Sequence, residues 1–313
     1  MSARRRKAAK RPRSEAKLSG VVGPRRGRIF SDEELLALPT VFRSDLFTGR
    51  RVLVSGAGTG IGRGIALLFG RLGARVAVCG RRPEPLEETR ALLARVGAES
   101  LAVPTNIRET DQVDALFARI AAEWGGLDVL VNNAGGQFPQ HAIDLSDRGW
   151  RAVVDTNLNG TWTMMQRAAR LWRDRGGRGC IVNLLAPYLR GMYGVAHTVA
   201  ARAGVAHLVR AVAVEWAPLG IRVNGVLPGP IATAGLEVYP AEARAAMART
   251  NPLFTLGDVQ DVAEACAYLA APSGRFITGE VLVVDGGHQL WGEIWLAGKP
   301  AAFAAAEGEG GDG

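Results

Sequence analysis

The stretch Ser55-Gly-Ala-Gly-Thr-Gly-Ile-Gly62 lies between a short apolar run and a segment with the apolar spacing of a helix. Gly56, Gly60 and Gly62 follow the spacing G-x3-G-x-G. Backbone N–H groups at the start of a helix bind a dinucleotide pyrophosphate, and a Cβ atom in this turn would collide with it. Since a strand pattern precedes the turn and a helix pattern follows it, the stretch predicts a dinucleotide-binding site rather than an ordinary tight turn.

Short apolar runs alternate with helical patterns along the rest of the chain. The apolar runs predict strands at 51–55, 76–79, 101–103, 129–132, 180–184, 222–226 and 281–285. The helical patterns predict helices at 61–72, 85–96, 110–123, around 156–175 and at 198–217, with further helical segments within 240–271. This alternation is typical of βαβ units, so we expect an α/β protein: a single-domain Rossmann fold with a doubly wound parallel sheet and helices on both faces.

The basic charge of the chain is concentrated at its amino end. The formal net charge is +8, yet residues 1–28 alone hold eleven Lys or Arg side chains and one acid, Glu15, which leaves +10 in this stretch and −2 in the remainder. We interpret residues 1–30 as a basic disordered tail because they show little apolar periodicity. The tail could contact nucleic acid or an acidic surface, or act as a targeting segment, but a solvated extension is the favoured interpretation.

A short helix is expected between this tail and the folded domain. Ser31 and Glu34 have the spacing of a capping box, and Pro39 ends the helical pattern. We expect the main folded domain, which would hold the dinucleotide-binding site, at 41–292, and a flexible, Ala/Gly-rich tail at 293–313.

Several other classes of protein are not expected. Cys79, Cys180 and Cys266 lie far apart without CxxC spacing, which argues against a metal site or a disulfide framework and suits a reducing cytoplasm. We find no secretory signal and no apolar stretch of about 18 residues, so no membrane insertion is expected. Because the part after the tail is nearly neutral, a nucleic-acid partner is not favoured.

The end of the second predicted strand indicates which nicotinamide coenzyme binds. An NAD site usually offers an acid there to the ribose 2′-hydroxyl. This chain has Cys79-Gly-Arg-Arg82 instead. The guanidinium of Arg81 can form a charge-assisted fork with a 2′-phosphate, and Arg82 can assist. The sequence therefore predicts NADP(H), with two solvated loop arginines as the alternative.

The order of the motifs resembles the short-chain dehydrogenase/reductase family over Phe47–Trp291. The segments that carry the resemblance are Gly56–Gly62, Asn132-Asn-Ala-Gly135, Asn157, Pro228-Gly229 and Ile277-Thr-Gly-Glu-Val-Leu-Val-Val-Asp-Gly-Gly287. With the turn and the arginines above, the resemblance implies a coenzyme site formed by Ser55, Gly56, Thr59, Gly60, Ile61, Gly62, Arg81, Arg82, Asn106, Ile107, Asn133, Ala134, Gly135, Arg202, Pro228, Gly229 and Ile231. It also implies a homo-oligomer, a tetramer or a dimer, packed through the long helices and the last strand.

The chain departs from the family where the family carries its usual Ser, Tyr and Lys. In the family, the Tyr transfers the proton, the Lys lowers the Tyr pKa and holds the nicotinamide ribose, and the Ser polarises the carbonyl. By the fit to the helix, Thr198 lies at the Tyr position and Arg202 at the Lys position, while the Ser position falls at about 185–186, which are apolar; the supporting Asn157 is kept. Arg202 can hold ribose hydroxyls but cannot readily pass a proton, because a guanidinium stays protonated, and Thr198 unaided is a poor acid.

A similar departure occurs in trans-2-enoyl-CoA reductases and 2,4-dienoyl-CoA reductases. The segments Asn132–Phe138, Gly149-Trp150, Thr156–Leu158 and Ala200–Gly204 look like the peroxisomal trans-2-enoyl-CoA reductase group, and Asp285–Gly292 is similar to bacterial citronellol/citronellal-type dehydrogenases. In the dienoyl relatives, a Tyr after the fifth strand and an amide after the Asn-Asn-Ala-Gly turn polarise the thioester carbonyl. The matching residues of this chain are Tyr188 and Gln137.

This resemblance implies hydride transfer between NADP(H) and an apolar substrate, a 2-enoyl-CoA thioester or a related alcohol or aldehyde. Hydride addition to the β-carbon would leave an enolate whose oxygen needs hydrogen-bond donors, and Tyr188 or water would return a proton. The implied catalytic residues are Tyr188, Arg202, Asn157, Gln137 and Thr198. The Ala-rich segment at 231–251, which contains a methionine, suggests an apolar ligand.

Alternatives remain open at each of these positions. Tyr188 could simply pack behind a strand end, and Gln137 could be a surface amide. Tyr193 and His197, four residues apart, could replace the Tyr and Lys. The missing Ser, Tyr and Lys also allow a catalytically silent NADP(H)-binding protein, acting as a sensor or a partner subunit.

Overall fold

The computed structural model describes residues 27–290. Residues 1–26 and 291–313, which hold nearly all of the two expected tails, lie outside the described residues. The strands in the described range are β1 (Arg51–Ser55), β2 (Arg75–Gly80), β3 (Ser100–Pro104), β4 (Val129–Asn132), β5 (Gly179–Leu184), β6 (Ile221–Pro228) and β7 (Val281–Val284).

These strands form one parallel sheet in the order β3-β2-β1-β4-β5-β6-β7. The described helices are α1 (Asp32–Ala37), α2 (Gly60–Arg71), α3 (Pro83–Arg95), α4 (Thr110–Trp124), α5 (Asp147–Val154), α6 (Thr161–Asp174), α7 (Ala196–Trp216), α8 (Ala241–Met247) and α9 (Val259–Ala270). α2, α3 and α9 cover one face of the sheet, and α4, α6 and α7 cover the other. The doubly wound parallel sheet expected from the sequence is confirmed.

The strands are apolar on both faces because each face has its own core. Val52 and Val54 of β1 pack in the core formed with α1, α2, α3 and α9. Leu53, between them, packs in the opposite core, formed with α4, α6 and α7. A strand buried on both faces reads as a continuous apolar run, which is why these runs could be recognised in the sequence.

The helix expected around 156–175 differs from the structure at its start. α5 and α6 are joined by a π-helical turn, Asp155–Gly160, which widens the helix by one residue. The difference arises because apolar periodicity does not report a local change from i−4 to i−5 hydrogen bonding, and such π-turns are frequent at functional sites. This turn contains Asn157, one of the expected site residues.

Residues that precede the expected domain boundary pack onto the domain. Ser31 and Glu34 form the predicted capping box, with Ser31 N to Glu34 Oε2 at 2.9 Å and Glu34 N to Ser31 Oγ at 3.3 Å. Leu35 is buried, and Asp32 pairs with Arg63 of α2 at 3.0 Å. α1 therefore completes the core beneath α2.

The connection between the strands sets where a ligand can bind. The strand order runs outward from β1 to β3 on one side and from β4 to β7 on the other. The topological switch point of the sheet therefore lies between β1 and β4. Loops leaving the carboxyl ends of these two strands diverge to opposite faces and leave a crevice between them. Among the described helices, none is long and apolar enough to cross a bilayer.

Candidate active site

The turn from β1 to α2 presents free backbone N–H groups at the crevice. α2 begins at Gly60, and the side chain of its N-cap residue, Thr59, makes no capping hydrogen bond. Gly56 and Gly60 adopt left-handed backbone conformations, with φ of 65° and 54°. The N–H groups of the first helical turn have no partner within the helix, and together with the helix dipole they favour an anion. The turn therefore fits the pyrophosphate of a dinucleotide.

The glycines of this turn are required for two different reasons. A Cβ at Gly62 would lie 2.2 Å from the carbonyl oxygen of Gly56, and one at Gly56 would lie 2.8 Å from Cα of Ala134. At both positions the protein itself leaves no room for a Cβ, so its own packing already requires glycine there, and the collision with a bound pyrophosphate stays a prediction. A Cβ at Gly60 would meet only the Thr233 side chain, at 3.8 Å, so this position is open to an approaching ligand.

The end of β4 is tied to the same turn by side-chain hydrogen bonds. The Ser55 hydroxyl accepts from the N–H of Asn133 at 3.1 Å and of Ala134 at 3.0 Å. The Asn133 amide donates to the carbonyl oxygens of Ser55 and Gly56 at 3.0 and 3.1 Å. Ser55 and Asn133 thus hold the two crevice loops together, a structural role that the expectation of coenzyme contact did not include.

A cavity of about 190 Å³ extends from this turn toward the ends of β2 and β3. It brings together many of the expected coenzyme residues: Gly56, Thr59, Arg81, Arg82, Asn106, Ile107, Ala134 and Gly135. Thr105 and Thr156 also line it. Neither was expected to contact the coenzyme: Thr105 belongs to no recognised motif, and the segment Thr156–Leu158 was noted only for its resemblance to enoyl-CoA reductases. Arg81 and Arg82 are exposed, and within residues 27–290 neither forms an ion pair with a carboxylate.

A second cavity, also of about 190 Å³, adjoins the first at Gly135. Among the residues that line it are Gln137, Asn157, Thr198 and Arg202, four of the five expected catalytic residues. Leu185 and Ala186 also line this cavity. They lie where the sequence predicts apolar residues in place of the family's serine. The tertiary structure thus gathers side chains from β4, the π-turn and α7 around one small space, which we name the Arg202 cavity.

Arg202 is a buried cation with spare hydrogen-bond donors. Its side chain is 6% exposed, and within the described part of the chain its hydrogen bond is from Nη1 to the carbonyl oxygen of Leu184, at 2.9 Å. Burial lowers the pKa of the guanidinium to about 10, so it stays charged at neutral pH. A buried charge without a counter-ion is costly, so its presence in a cavity points to a binding role.

Thr198 lies one turn before Arg202 on α7 and is also buried. The neighbouring His197 accepts a hydrogen bond at Nδ1 from the Thr198 backbone N–H at 2.8 Å, with the Thr198 hydroxyl 3.4 Å away. Burial lowers the pKa of His197, so the ring is neutral at neutral pH. Its ring packs edge to face on Phe138 at 4.8 Å.

The alternative pairing of Tyr193 with His197 is not formed. The Tyr193 side chain is 86% exposed, and its hydroxyl bonds to His141 Nδ1 at 2.5 Å, whereas His197 is buried against Phe138. The glycine that follows, Gly194, has φ of 79° and precedes the first residue of α7 by two positions, so the helix does not reach back to Tyr193.

Asn157 uses its side chain to hold the loop after β4. Its Oδ1 accepts from the N–H of Gly136, and its Nδ2 donates to the carbonyl oxygen of Gly136, both at 3.0 Å. The π-turn orients Asn157 toward this loop, and the residue is almost fully buried. Asn157 therefore shapes the wall of the Arg202 cavity.

Gln137 contacts a residue that the sequence did not single out. Its Nε2 donates a hydrogen bond to the hydroxyl of Tyr239, which lies in the segment after β6. Burial raises the pKa of Tyr239, while the bond from Gln137 acts in the opposite direction. The only sequence signal would have been that Tyr239 is the one tyrosine of the variable segment 231–251.

Three further expected residues, Tyr188, Gly229 and Ile231, lie outside these two cavities. Tyr188 is half-buried against the core of α4, α6 and α7 and is not among the residues that line either cavity. Pro228 lines the Arg202 cavity, but Gly229 and Ile231 line a separate space of about 760 Å³ beside Asp285. In residues 27–290 there is no group of three or more His, Cys, Asp or Glu side chains placed to hold a metal ion.

Comparison with known proteins identifies the family to which the chain is similar. Residues 56–289 match the family described as enoyl-(acyl carrier protein) reductase. The chain is 37% identical over 246 residues to a probable 2,4-dienoyl-CoA reductase of Bacillus subtilis, covering 77% of this chain and 97% of that protein. It is 34% identical over 271 residues to a peroxisomal 2,4-dienoyl-CoA reductase of Arabidopsis thaliana, covering 83% and 88%.

Solved structures show the same fold. A citronellol catabolism dehydrogenase of Pseudomonas aeruginosa superposes with a TM-score of 0.71 at 35% identity, covering 80% of this chain and 99% of that one. The similarity therefore extends over nearly the whole length of the relatives and includes both cavities.

Proposed function

Because the chain belongs to the short-chain dehydrogenase/reductase family, we propose that it is an NADPH-dependent reductase of apolar 2-enoyl thioesters. The observation that carries the proposal is the composition of the Arg202 cavity. The buried Thr198 and the cation Arg202 stand where the family's Tyr and Lys are expected, and the amide of Gln137 lines the same cavity. Such a set can bind and stabilise negative charge but lacks the usual proton-transferring pair.

The site fits a phosphorylated nicotinamide coenzyme. The free N–H groups at the start of α2 suit its pyrophosphate, and the open space beside Gly60 leaves room for it. Arg81 and Arg82, exposed and without an ion pair in the described residues, lie on the same cavity and suit a 2′-phosphate. The spare donors of Arg202 suit the hydroxyls of the nicotinamide ribose.

Reduction of an enoyl thioester needs little from the protein beyond positioning and charge stabilisation. When bound, the coenzyme would supply a hydride to the β-carbon of the substrate. The electron pair of the double bond then moves onto the thioester oxygen, which needs N–H or O–H donors placed in advance. Gln137 has a second amide hydrogen for this purpose, and Arg202 adds positive charge. A hydrogen bond from Tyr188 to the same oxygen stays a prediction.

The names of the relatives support this substrate class. Two of them are named as reductases of 2,4-dienoyl-CoA, and the structural relative is named for citronellol catabolism. The first two names refer to thioesters with conjugated double bonds, whose reduction is the chemistry that the Arg202 cavity can support, and the third refers to an apolar, unsaturated alcohol.

The test is a substrate panel followed at the nicotinamide absorbance. Purified protein would be given NADPH or NADH with crotonyl-CoA, longer 2-enoyl-CoAs, a 2,4-dienoyl-CoA, citronellal and a simple ketone. We expect oxidation of NADPH with the enoyl thioesters and a preference for longer chains. Turnover of the ketone or aldehyde alone would contradict the proposed substrate class.

A second candidate is a catalytically silent NADP(H)-binding protein. The observation that favours it is that Thr198 and Arg202 occupy the cavity without a proton-transferring couple. It predicts tight binding of NADPH in calorimetry and no turnover with any member of the panel.

We also propose that the chain forms a dimer or tetramer through α6, α7 and β7. Trp162 of α6 stacks with Trp216 of α7 at 6.1 Å, and Val214 of α7 is 79% exposed. β7 is an edge strand with Val283 at 42% exposure, and an uncovered apolar edge favours association. Light scattering coupled to size exclusion would measure the mass, and a monomer at micromolar concentration would contradict this proposal.

A further inference from the structure

The segment after β6 places a phenol beside Gln137, a side chain that lines the Arg202 cavity. Tyr239 follows a short 3₁₀ turn, Ala234–Val238, and its backbone N–H donates to the carbonyl oxygen of Leu236 at 3.0 Å. Pro240 follows and is the N-cap of α8. The backbone on both sides of Tyr239 is therefore held, and its half-buried side chain points to Gln137.

The direction of the hydrogen bond leaves the phenol proton available. Gln137 Nε2 is the donor, so the Tyr239 oxygen is the acceptor and its own O–H is not used in this contact. Within residues 27–290 the Tyr239 hydroxyl has no other hydrogen-bond partner in the structure. Because Gln137 lines the Arg202 cavity, this unused O–H lies one hydrogen bond away from a side chain of the cavity wall.

The other tyrosines are less well placed for this role. The chain has four: Tyr188, Tyr193, Tyr239 and Tyr268. Tyr188 packs against a core, Tyr193 bonds to His141, and Tyr268 lies on α9, on the face of the sheet opposite α7. Among them, Tyr239 is the one bonded to a side chain that lines the Arg202 cavity.

We propose that Tyr239 is the catalytic residue that protonates the α-carbon of the reduced substrate, and that Gln137 is its positioning residue. This inference rests on the proposed function. It assigns the proton donor to the variable segment after β6 instead of to α7, where the family keeps its tyrosine and this chain has Thr198.

The step balances in atoms and electrons. After hydride addition, the enolate electron pair forms a new C–H bond at the α-carbon while the thioester carbonyl is restored. The O–H bond of Tyr239 breaks, and its electron pair remains on the phenolate oxygen. The N–H of Gln137 stabilises this phenolate until water returns a proton. Burial keeps the phenol protonated at neutral pH, because it raises the pKa of Tyr239.

Placing the donor on this segment links proton transfer to enclosure of the substrate. The bond between Gln137 and Tyr239 joins the loop after β4 to the segment after β6, two parts of the chain that lie 102 residues apart. A substrate bound beside this hydrogen bond would be partly shielded from water, so we expect Tyr239 to set the face of the α-carbon that receives the proton.

The experiment compares Tyr239→Phe with Tyr188→Phe and Tyr193→Phe, using the enoyl-CoA on which the unmodified protein is most active. We expect Tyr239→Phe to lower kcat by about 100-fold or more, the usual contribution of a general acid. NADPH affinity in calorimetry and the unfolding temperature should stay unchanged. Tyr193→Phe should keep full activity, and Tyr188→Phe tests the donor that the sequence suggested.

A second measurement separates a chemical role from a structural one. In D₂O the unmodified protein should place deuterium on one face of the α-carbon, and Tyr239→Phe should place it on both faces because water then protonates the enolate. Wild-type kcat and a single labelled face in Tyr239→Phe would overturn the inference and leave the proposed function intact. No turnover of any enoyl-CoA by the unmodified protein would overturn both.

Discussion

At the scale of single residues, Arg202 combines a full charge with burial and, within residues 27–290, a single hydrogen bond to Leu184. We expect Arg202→Met to weaken NADPH binding at least tenfold, since a hydrogen bond to a charged group is worth roughly 1.5–3 kcal/mol. The same substitution should leave the free energy of unfolding unchanged or raise it, because replacing a buried charge by an apolar side chain is often stabilising. Calorimetry and thermal unfolding measure the two effects.

The matched control for that change is Arg202→Lys. It restores a cation at the same position and should recover part of the lost affinity. An Arg202→Met protein that binds NADPH as tightly as the unmodified protein would remove Arg202 from the coenzyme site.

Arg81 should decide between the two nicotinamide coenzymes. We expect Arg81→Asp to weaken NADPH at least tenfold and to affect NADH much less, because the aspartate repels a 2′-phosphate and can accept from a 2′-hydroxyl. Arg90→Asp, an equal change of charge on α3 at an exposed pair with Glu87, is the control. Equal weakening of NADPH and NADH in Arg81→Asp would contradict the assignment of the phosphorylated coenzyme.

At the scale of elements, we expect two glycines of the β1–α2 turn to have different roles, Gly62 in the stability of the fold and Gly60 in coenzyme binding. Gly62→Ala should lower the free energy of unfolding by about 2–3 kcal/mol, because its Cβ would lie 2.2 Å from a backbone oxygen that must then move. Gly60→Ala should cost only about 1 kcal/mol, for the left-handed φ. Since its Cβ would enter the open space before α2, it should weaken NADPH binding at least tenfold.

Chemical denaturation and calorimetry on both variants test this division of roles. If Gly60→Ala bound NADPH normally, the open space beside it would not be the pyrophosphate site. If Gly62→Ala kept full stability, the packing reason for glycine at that position would be wrong.

At the scale of the whole molecule, residues 27–40 belong to the folded unit. The N–H of Gly27 donates to Thr255 Oγ1 at 3.1 Å, Leu35 is buried, and Asp32 pairs with the largely buried Arg63. A chain that starts at Val41 loses these contacts, and burial of one leucine alone is worth about 1.5–3 kcal/mol. We expect such a chain to unfold about 5–10 °C below the full chain.

A chain that starts at Gly27 is the control, and it should keep the unfolding temperature of the full protein. Equal unfolding temperatures for the Val41 and Gly27 chains would show that α1 adds nothing to stability. Salt-dependent binding of nucleic acid by the full chain that is absent from the Gly27 chain would instead assign that binding to the basic tail.

The order of elements could be predicted from the sequence because it is encoded locally. The predicted β4 at 129–132 has the observed bounds, and α2, predicted at 61–72, is found at Gly60–Arg71. Periodicity of apolar residues depends only on which backbone geometry buries one face, so it is visible without the fold. The π-turn at Asp155–Gly160 escaped this reasoning because it changes hydrogen bonding without changing composition.

The sequence by itself determined the doubly wound sheet, and it predicted the coenzyme-binding turn and the replacement of the family's Tyr and Lys by Thr198 and Arg202. Only the tertiary structure decided that Gly56 and Gly62 are required by the protein's own packing, and that Gln137 meets Tyr239 across 102 residues. The physical reason is range: backbone geometry is selected by neighbours a few residues apart. Contacts between side chains at the carboxyl edge of the sheet depend instead on how every strand and helix beneath them packs.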